Sequence, residues 1–317
     1  IKSLIDSAMQ AGVERNLGHD YLVDIEERYS DTARITSPTP WDIINELMQG
    51  GLGAGELGVV VAPAGIGKSW VLSAMGAYAI SQGLNVVHYT LELNEAYVGL
   101  RYDSIFTGVE SQNLKYHKEE VMEKLYDLKG SLTIKYYPTK ACTVNTLSAH
   151  LKKVTTFGTK VDMVLVDYAD IMKDVGKAQE MRHALGNIYE DLRGMAGEMQ
   201  IPIWTASQAN RSALDEDVIE ASKVAESYTK VMTADFVISL SRKIEDKIGN
   251  TGRFHIIKNR FGPDGLTYPA KINTNIGKIE IFEANSVQGK GVQHKINNRD
   301  NQTKAILSAR YEDLMSE

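Results

Sequence analysis

The sequence has little cysteine, no long apolar run and no excess of positive charge. Its 317 residues include one cysteine, Cys142, so no disulfide can form within the chain, and we expect a reducing, cytoplasmic location. No apolar run approaches the roughly 20 residues that a membrane-crossing helix needs, so we expect no membrane partner. The formal net charge of −6 excludes a globally basic nucleic-acid binder. A local basic surface is still compatible with that charge.

The beginning of the chain also lacks two features. The segment 1–6 has no apolar core of a secretory signal, and the first residue is Ile1 rather than methionine. A processed chain, a fragment and an unrecorded start all agree with that beginning. Residues 1–40 contain short amphipathic helix candidates, including 3–13 and 21–29, which bury little alone. We expect them to dock on the main domain or on a neighbouring subunit.

The most informative stretch is residues 62–69, Ala-Pro-Ala-Gly-Ile-Gly-Lys-Ser. An apolar run predicted to be a buried strand precedes it, and residues with helical spacing follow it. Strand, glycine loop and a helix that opens on Lys-Ser form the phosphate-binding P-loop arrangement. Backbone N–H groups of such a loop and helix bind the phosphates of a nucleotide, here predicted to be ATP. The predicted nucleotide-binding residues are Ala62, Pro63, Ala64, Gly65, Ile66, Gly67, Lys68, Ser69 and Trp70.

Two side chains of the loop have separate predicted roles. Lys68 brings positive charge to the β- and γ-phosphates, and Ser69 offers a hydroxyl to Mg²⁺. Ala62 replaces the first glycine of the motif, which is tolerable if the backbone there stays at negative φ. A chance glycine turn before a core helix is the alternative, and the agreement of strand, loop and helix disfavours it.

Alternation of strands and helices predicts an α/β fold with a mostly parallel, twisted sheet flanked by helices. Three later strands without long helices between them predict antiparallel additions near the C-terminus. We assign residues 41–285 to this ATPase domain and 286–317 to a polar, mobile tail with a possible terminal helix over 303–315. The predicted strands are 57–61, 86–91, 132–137, 163–167, 203–207, 236–240, 253–257, 266–272 and 278–282.

Acidic residues end two of the predicted parallel strands. Asp167 closes 163–167, where parallel-sheet ligands bind, and it can hold Mg²⁺ opposite Ser69. Tyr168 follows instead of glutamate, so the general base must lie elsewhere. Glu92 is the candidate, since it would lie beside the γ-phosphate and could activate water. A solvated helix-capping role is the alternative for Glu92, although Glu95 fits that role better.

Other polar side chains complete the predicted catalytic set. Gln208 ends a strand, and its amide could change partners after hydrolysis and so act as a γ-phosphate sensor. Lys258 and Arg260 lie two residues apart and project the same way if their strand continues, which suits a phosphate clamp. Their own P-loop could be out of reach, in which case they would act across a subunit interface. An ordinary solvated basic hairpin is the alternative.

Two segments are candidates for contact with single-stranded DNA. Each mixes bases with small residues that expose the backbone, which suits sequence-independent phosphate binding, while solvated loops are the alternative. The candidates are Lys173, Lys177 and Arg182 in segment 173–182, and Glu226, Ser227, Tyr228 and Lys230 in segment 223–230.

Together these residues resemble the C-terminal motor domain of the DnaB-type replicative hexameric helicases, particularly their T-even-type bacteriophage members. The resemblance covers about residues 1–285 and includes Ala62 in the P-loop, Val-Asp-Tyr at 166–168, Trp-Thr-Ala-Ser-Gln at 204–208 and Ala-Glu-Ser at 225–227. It implies a RecA-like core, ATP, Mg²⁺ and 5′ to 3′ translocation on DNA. It also implies a homo-oligomer, expected to be a hexamer, with a primase and a helicase loader as partners in the host cell cytoplasm.

The resemblance also implies residue roles. It places the catalytic glutamate at Glu92, the sensor at Gln208 and the trans-acting cations at Lys258 and Arg260. It extends the second DNA segment to 211–230, which adds Arg211. Many cellular relatives carry arginine where this chain has Ala225. Relatives have an N-terminal scaffold domain before a linker helix, which residues 3–13 fit, so we expect this chain to be a C-terminal piece.

Two other functions use the same core. A recombinase-type filament would pair DNA strands rather than unwind them. An ATP-gated DNA-binding scaffold for a primase would show little motor activity, and the presence of Glu92 argues against it.

Overall fold

The computed structural model describes residues 18, 20–29, 34–176, 180–224 and 229–298. The chain divides into two units, residues 1–35 and 36–317. In the first unit, α1 (Ile25–Arg28) follows a turn in which the Asp20 carboxylate accepts hydrogen bonds from the Leu22 and Val23 N–H groups. The predicted helix over 3–13 lies outside the described residues.

The second unit is built on a nine-stranded sheet. A separate short pair, β1 and β2, precedes it. The strand bounds are β1 Thr36–Ser37, β2 Leu52–Gly53, β3 Leu57–Ala62, β4 Asn85–Thr90, β5 Ser131–Tyr136, β6 Met163–Asp167, β7 Ile203–Gln208, β8 Phe236–Ser241, β9 Thr251–Asn259, β10 Thr267–Asn273 and β11 Lys278–Ile281.

Helices connect the strands and cover both faces of the sheet. The bounds are α2 Asp42–Leu47, α3 Lys68–Ser81, α4 Glu95–Thr107, α5 Lys118–Tyr126, α6 Val144–Thr156, α7 Met181–Met199, α8 Thr229–Thr233, α9 Ile244–Gly249 and α10 287–298. Single 3₁₀ turns occur at Leu114–Tyr116, Ala169–Ile171, Arg211–Ala213 and Ala221–Lys223.

The sheet has the order β11-β10-β9-β8-β3-β7-β6-β4-β5. The six strands from β8 to β5 are parallel, and β9, β10 and β11 add to one edge in antiparallel pairing. This arrangement confirms the predicted fold class and all nine strands of the sheet. β9 is longer than predicted, since it runs from Thr251 to Asn259.

The central strands are apolar at nearly every position because helices cover both faces of the sheet. Along β3, Val59 and Val61 point to one face, while Val60 and Ala62 point to the other. The first face packs against α6 and α7, and the second against α3 and α4. This packing fixes the carboxyl end of β3, where the P-loop begins.

The segment after β11 contains a helix that the sequence did not predict. Residues 287–298 form α10, in which Val292 and Ile296 are 2% and 1% exposed. These side chains lie four residues apart on one helical face, so their burial anchors the helix. The mobility expected of the tail stays a prediction, and the helix predicted over 303–315 lies outside the described residues. Among the helices of the described ranges, none is long and apolar enough to cross a membrane.

Candidate nucleotide-binding site

The P-loop occupies the turn between β3 and α3. Gly65 and Gly67 have φ angles of +71° and +121°, a region that favours glycine. Gly67 directly precedes the first residue of α3, so the loop N–H groups and the helix N-terminus face the same space. Ala62 is the last residue of β3 and has no positive φ, so its methyl group fits where the motif has glycine.

A cavity of about 280 Å³ opens beside this loop. The cavity brings together Lys68, Ser69, Glu92 and Gln208, which the sequence assigned to one site. Ala62, Pro63 and Ile66 do not line it, because their side chains are buried beneath the loop. Its lining residues are Ala64, Gly65, Gly67, Lys68, Ser69, Trp70, Glu92, Leu93, Arg101, Tyr168, Gln208 and Thr274.

The Lys68 side chain folds back onto its own loop. Its Nζ donates hydrogen bonds to the carbonyl oxygens of Ala62 and Pro63, at 3.1 and 3.2 Å. Burial lowers the pKa of Lys68, and the nearby carboxylates of Asp167, Asp170 and Glu92 act in the opposite direction. The ammonium group therefore lies beside the cavity, and the nearby acidic groups favour its charged form.

Asp167 and Ser69 form the candidate metal position. Asp167 is 1% exposed, it accepts a hydrogen bond from Ser69, and its Oδ1 has no hydrogen-bond partner among the described residues. Burial raises the pKa of this carboxyl group. A buried carboxylate oxygen without a partner, next to a hydroxyl, fits the hard oxygen ligands that Mg²⁺ prefers. The peptide bond between Asp167 and Tyr168 is cis.

Glu92 lies two residues beyond β4, whose last residue, Thr90, pairs in register with Asp167. Its side chain is exposed and lines the cavity. The helix-capping role falls to Asn94 rather than to Glu92, because the Asn94 side chain accepts the Tyr97 N–H at the start of α4. Glu92 is therefore available to a water molecule in the cavity.

Gln208 ends β7 directly beside the P-loop strand. It pairs in register with Ala62, and the next residue, Ala209, donates its N–H to the Ala62 carbonyl. The Gln208 N–H donates to an Asp170 carboxylate oxygen at 2.9 Å. Gln208 also lines the cavity.

Arg101 lines the same cavity but was not among the site residues predicted from the sequence. Its guanidinium carbon lies 5.2 Å from the Trp70 ring centre, and Nη1 is buried without a hydrogen-bond partner among the described residues. Burial lowers its pKa. The available signal was its position in α4, three residues after the buried Val98 and beside the buried Tyr102. A cation on the buried face of a helix indicates an anionic partner.

Lys258 and Arg260 do not reach the P-loop of their own chain. Lys258 pairs with Val237 near the start of β8, and its Nζ donates to the Val231 and Met232 carbonyls. Arg260 Nη1 lies 2.9 Å from Asp235 Oδ1. Asp235 also accepts the N–H of Leu57, which starts β3, whereas the P-loop follows the end of β3. The two ends of that strand are roughly 16 Å apart.

The predicted DNA segments meet at a second cleft of about 320 Å³. Met181 of the first segment and Arg211 of the second line this cleft together with Gln208. Lys173 and Arg211 are exposed, and Arg182 is 67% exposed with Nη2 3.6 Å from a Glu180 oxygen. The described parts of both segments therefore adjoin the predicted sensor.

Lys230 differs from its predicted role. Its side chain is 1% exposed, and its Nζ lies 2.8 Å from Asp170 Oδ1 and 3.3 Å from Ser207 Oγ. An ammonium group in that position cannot contact DNA phosphates, so we remove Lys230 from the DNA-binding set. Four other predicted DNA-contacting residues, Lys177, Glu226, Ser227 and Tyr228, lie outside the described residues.

The sheet and the loop at the end of β3 define a P-loop nucleotide-binding protein with a RecA-like fold. Solved structures share that fold. The structure of a DnaB-like replicative helicase and its interactions with primase aligns with a TM-score of 0.71 and 17% identity, over 88% of this chain and 71% of that one. The ATPase domain of G40P aligns with a TM-score of 0.69 and 17% identity, over 88% of this chain and 99% of that one.

Residues 38–276 match the model of the DnaB-like helicase C terminal domain, and this chain belongs to that family. The DnaB-like replicative helicase of Enterobacteria phage T4 is 27% identical over 83% of this chain and 58% of its own length. The replicative DNA helicase DnaB of Leifsonia xyli is 25% identical over 74% of this chain and 54% of its own length. The chain thus spans about half the length of these curated relatives. The family resemblance stated from the sequence is confirmed.

Proposed function

We propose that this chain is the motor part of an ATP-dependent replicative DNA helicase, which translocates along single-stranded DNA and separates the duplex. One observation carries the proposal. Residues of the P-loop, the segment after β4 and the end of β7 line a single cavity at the carboxyl edge of the parallel sheet, and Asp167 at the end of β6 is hydrogen-bonded to Ser69 of that cavity. That set supplies a phosphate cradle, a metal position, a carboxylate and an amide, which are the groups that ATP hydrolysis requires.

Each residue has a defined task in the proposed reaction. The P-loop N–H groups and Lys68 bind the phosphates. Ser69 and Asp167 would hold Mg²⁺, which would neutralise phosphate charge. Glu92 orients the attacking water and accepts its proton. Gln208 contacts the γ-phosphate and loses that contact when phosphate leaves.

The other half of the proposed site comes from a neighbouring subunit. Lys258 and Arg260 lie at the amino edge of the parallel sheet, far from their own P-loop, which supports action in trans. Such a head-to-tail contact generates a closed ring or an open helix. The family resemblance favours a hexamer. The exposed cations at the described ends of the DNA segments, Lys173, Arg182 and Arg211, would contact phosphates, together with Lys177 and the backbone at 226–228.

Further parts of the proposal rest on the family alone. These are 5′ to 3′ travel, a primase and a loader as partners, the host cell cytoplasm as location, and docking of residues 1–40 on the next subunit's motor domain. The solved structure of a DnaB-like replicative helicase with the same fold also concerns that helicase's interactions with primase, which supports the primase partner.

Stimulation of ATP hydrolysis by single-stranded DNA tests the proposal. Glu92→Gln should lower the stimulated rate by about 10²- to 10⁴-fold, because the amide cannot accept the proton of the attacking water. Glu95→Gln is the matched control, since Glu95 accepts the Tyr136 N–H at 3.0 Å and does not line the cavity. Equal rates of DNA-stimulated ATP hydrolysis in the two variants would contradict the proposed function. Wild-type hydrolysis that DNA does not stimulate would contradict it as well.

A further inference from the structure

A buried ion pair lies directly behind the predicted sensor. Lys230 Nζ and Asp170 Oδ1 are 2.8 Å apart, and the two side chains are 1% and 12% exposed. The Lys230 ammonium also lies 5.5 Å from the centre of the Tyr189 ring. Neither side chain lines the nucleotide cavity.

The Asp170 carboxylate gathers several donors in addition to Lys230. Oδ1 accepts a hydrogen bond from the Tyr189 hydroxyl at 2.7 Å. Oδ2 accepts the Gln208 N–H at 2.9 Å and the Ser207 hydroxyl at 3.2 Å. We call this set, Asp170, Tyr189, Ser207, Gln208 and Lys230, the Asp170 cluster. Asp170, Tyr189, Ser207 and Lys230 take part through their side chains, whereas Gln208 takes part through its backbone N–H and also lines the cavity.

The cluster joins three parts of the proposed motor. Asp170 lies three residues after the metal-binding Asp167 and three residues before segment 173–182. Lys230 is the last residue of segment 211–230, and Gln208 lines the nucleotide cavity. A displacement of the Gln208 backbone therefore acts on a carboxylate that lies three residues before one DNA segment and forms an ion pair with the last residue of the other.

Stability alone does not account for this ion pair. Taking an ammonium and a carboxylate out of water costs several kcal/mol per ion, and packed apolar residues of similar volume are often equally stable or better. A fully connected polar cluster does, however, fix one geometry. The pair is thus better explained by what it holds in place than by the energy of its formation.

We propose that Asp170 and Lys230 are positioning residues that couple the nucleotide state at Gln208 to the affinity of the two segments for single-stranded DNA. The inference rests on the proposed function. When Gln208 engages a γ-phosphate, its N–H moves relative to Asp170, and the Asp170–Lys230 pair transmits that shift to both segments. By linkage, DNA then alters nucleotide affinity by the same factor.

A double variant, Asp170→Asn with Lys230→Met, removes both charges and so avoids leaving one buried ion unpaired. The matched control is Arg253→Met with Asp246→Asn, which removes another buried ion pair, 2.9 Å long, away from the nucleotide cavity. The measured quantity is the ratio of oligo-dT affinities of the assembled chain with a non-hydrolysable ATP analogue and with ADP, by fluorescence anisotropy. Urea unfolding of both double variants confirms that they fold.

In the wild type and the control, the ratio should fall in the range typical of allosteric coupling, about 5- to 150-fold. In the Asp170/Lys230 variant it should drop below about 3-fold, while the ATP analogue still binds. A variant that keeps the wild-type ratio overturns the inference, as does a control that loses the ratio equally. If the wild type binds DNA with the same affinity in the presence of either nucleotide, the proposed motor itself is overturned. The two failures are therefore distinguishable.

Discussion

Arg260 Nη1 lies 2.9 Å from Asp235 Oδ1, on a carboxylate that Arg193 also binds through Nε and Nη2 at 2.7 and 2.9 Å. Asp235 is 2% exposed and accepts the Leu57 N–H as well. The buried carboxylate holds Arg260, which is about half exposed, at the amino edge of the parallel sheet. This is the edge that faces away from the chain's own P-loop.

Mixed assemblies test whether Arg260 acts on the next subunit's nucleotide. Arg260→Ala and Lys68→Ala subunits should each be nearly inactive alone, yet an equal mixture should recover ATPase activity. With random pairing, about a quarter of head-to-tail interfaces join an intact P-loop to an intact Arg260. Replacing the Lys68→Ala partner by the Lys68→Ala/Arg260→Ala double variant is the control and should recover nothing. Failure of every mixing ratio would show that Arg260 does not act in trans.

Arg101→Lys should lower the turnover of ATP by roughly 10²-fold while ADP affinity changes little. The buried, unpaired Nη1 is a donor poised for charge that develops in the cavity, and an ammonium cannot reproduce the guanidinium geometry. Arg242→Lys is the control, because Arg242 is a buried arginine that donates to the Thr251 and Ile272 carbonyls away from the site. Steady-state hydrolysis and ADP titration measure both effects. Equal turnover in the two variants would exclude a role for Arg101 in hydrolysis.

His88 should make the stability depend on pH. Burial, reinforced by the charge of Arg101, lowers its pKa from 6.5 to about 3. Between these values the unfolded chain binds the proton and the folded chain does not. The free energy of unfolding is therefore highest above pH 6.5 and falls as the pH drops. The loss can reach about 1.4 kcal/mol per pH unit. Urea unfolding between pH 7 and 4 should show a shallower dependence for His88→Gln. An unchanged slope would contradict a neutral, buried His88.

Two glycine substitutions should change stability in opposite directions. A Cβ at Gly76 of α3 would meet the Tyr102 hydroxyl and lie 2.8 Å from Leu165 Cδ1, so Gly76→Ala should destabilise by about 1–3 kcal/mol. A Cβ at Gly194 of α7 has no heavy atom within 4 Å. Gly194→Ala should therefore stabilise by about 0.5–1 kcal/mol. Urea midpoints measure both, and a harmless Gly76→Ala would show that α3 packs less tightly on β6.

The parallel sheet could be predicted because its strands are buried on both faces and so appear as apolar runs. The position of Glu92 and Asp167 followed from the same rule, since the carboxyl ends of parallel strands share one edge. The sequence left open whether Arg260 reaches its own P-loop, because the position of Arg260 depends on the antiparallel pairing of β9 with β8.

Long-range pairing explains what the sequence did not reveal. Lys230 has the local context of a polar loop, and its burial depends on Asp170, which belongs to another crossover. Segment 287–298 contains two glycines and many polar residues, which disfavour a helix on local propensity. Burial of Val292 and Ile296 against the body of the domain overrides that preference.

Strand displacement at a forked duplex tests the central claim most directly. With ATP, the assembled chain should release the complementary strand from a fork that carries a free 5′ single-stranded tail, and not from one that carries only a 3′ tail. Glu92→Gln should bind the same fork and release nothing. DNA-stimulated ATP hydrolysis without strand release, or pairing of added complementary strands instead, would contradict a helicase motor and would favour a scaffold or a recombinase-type filament.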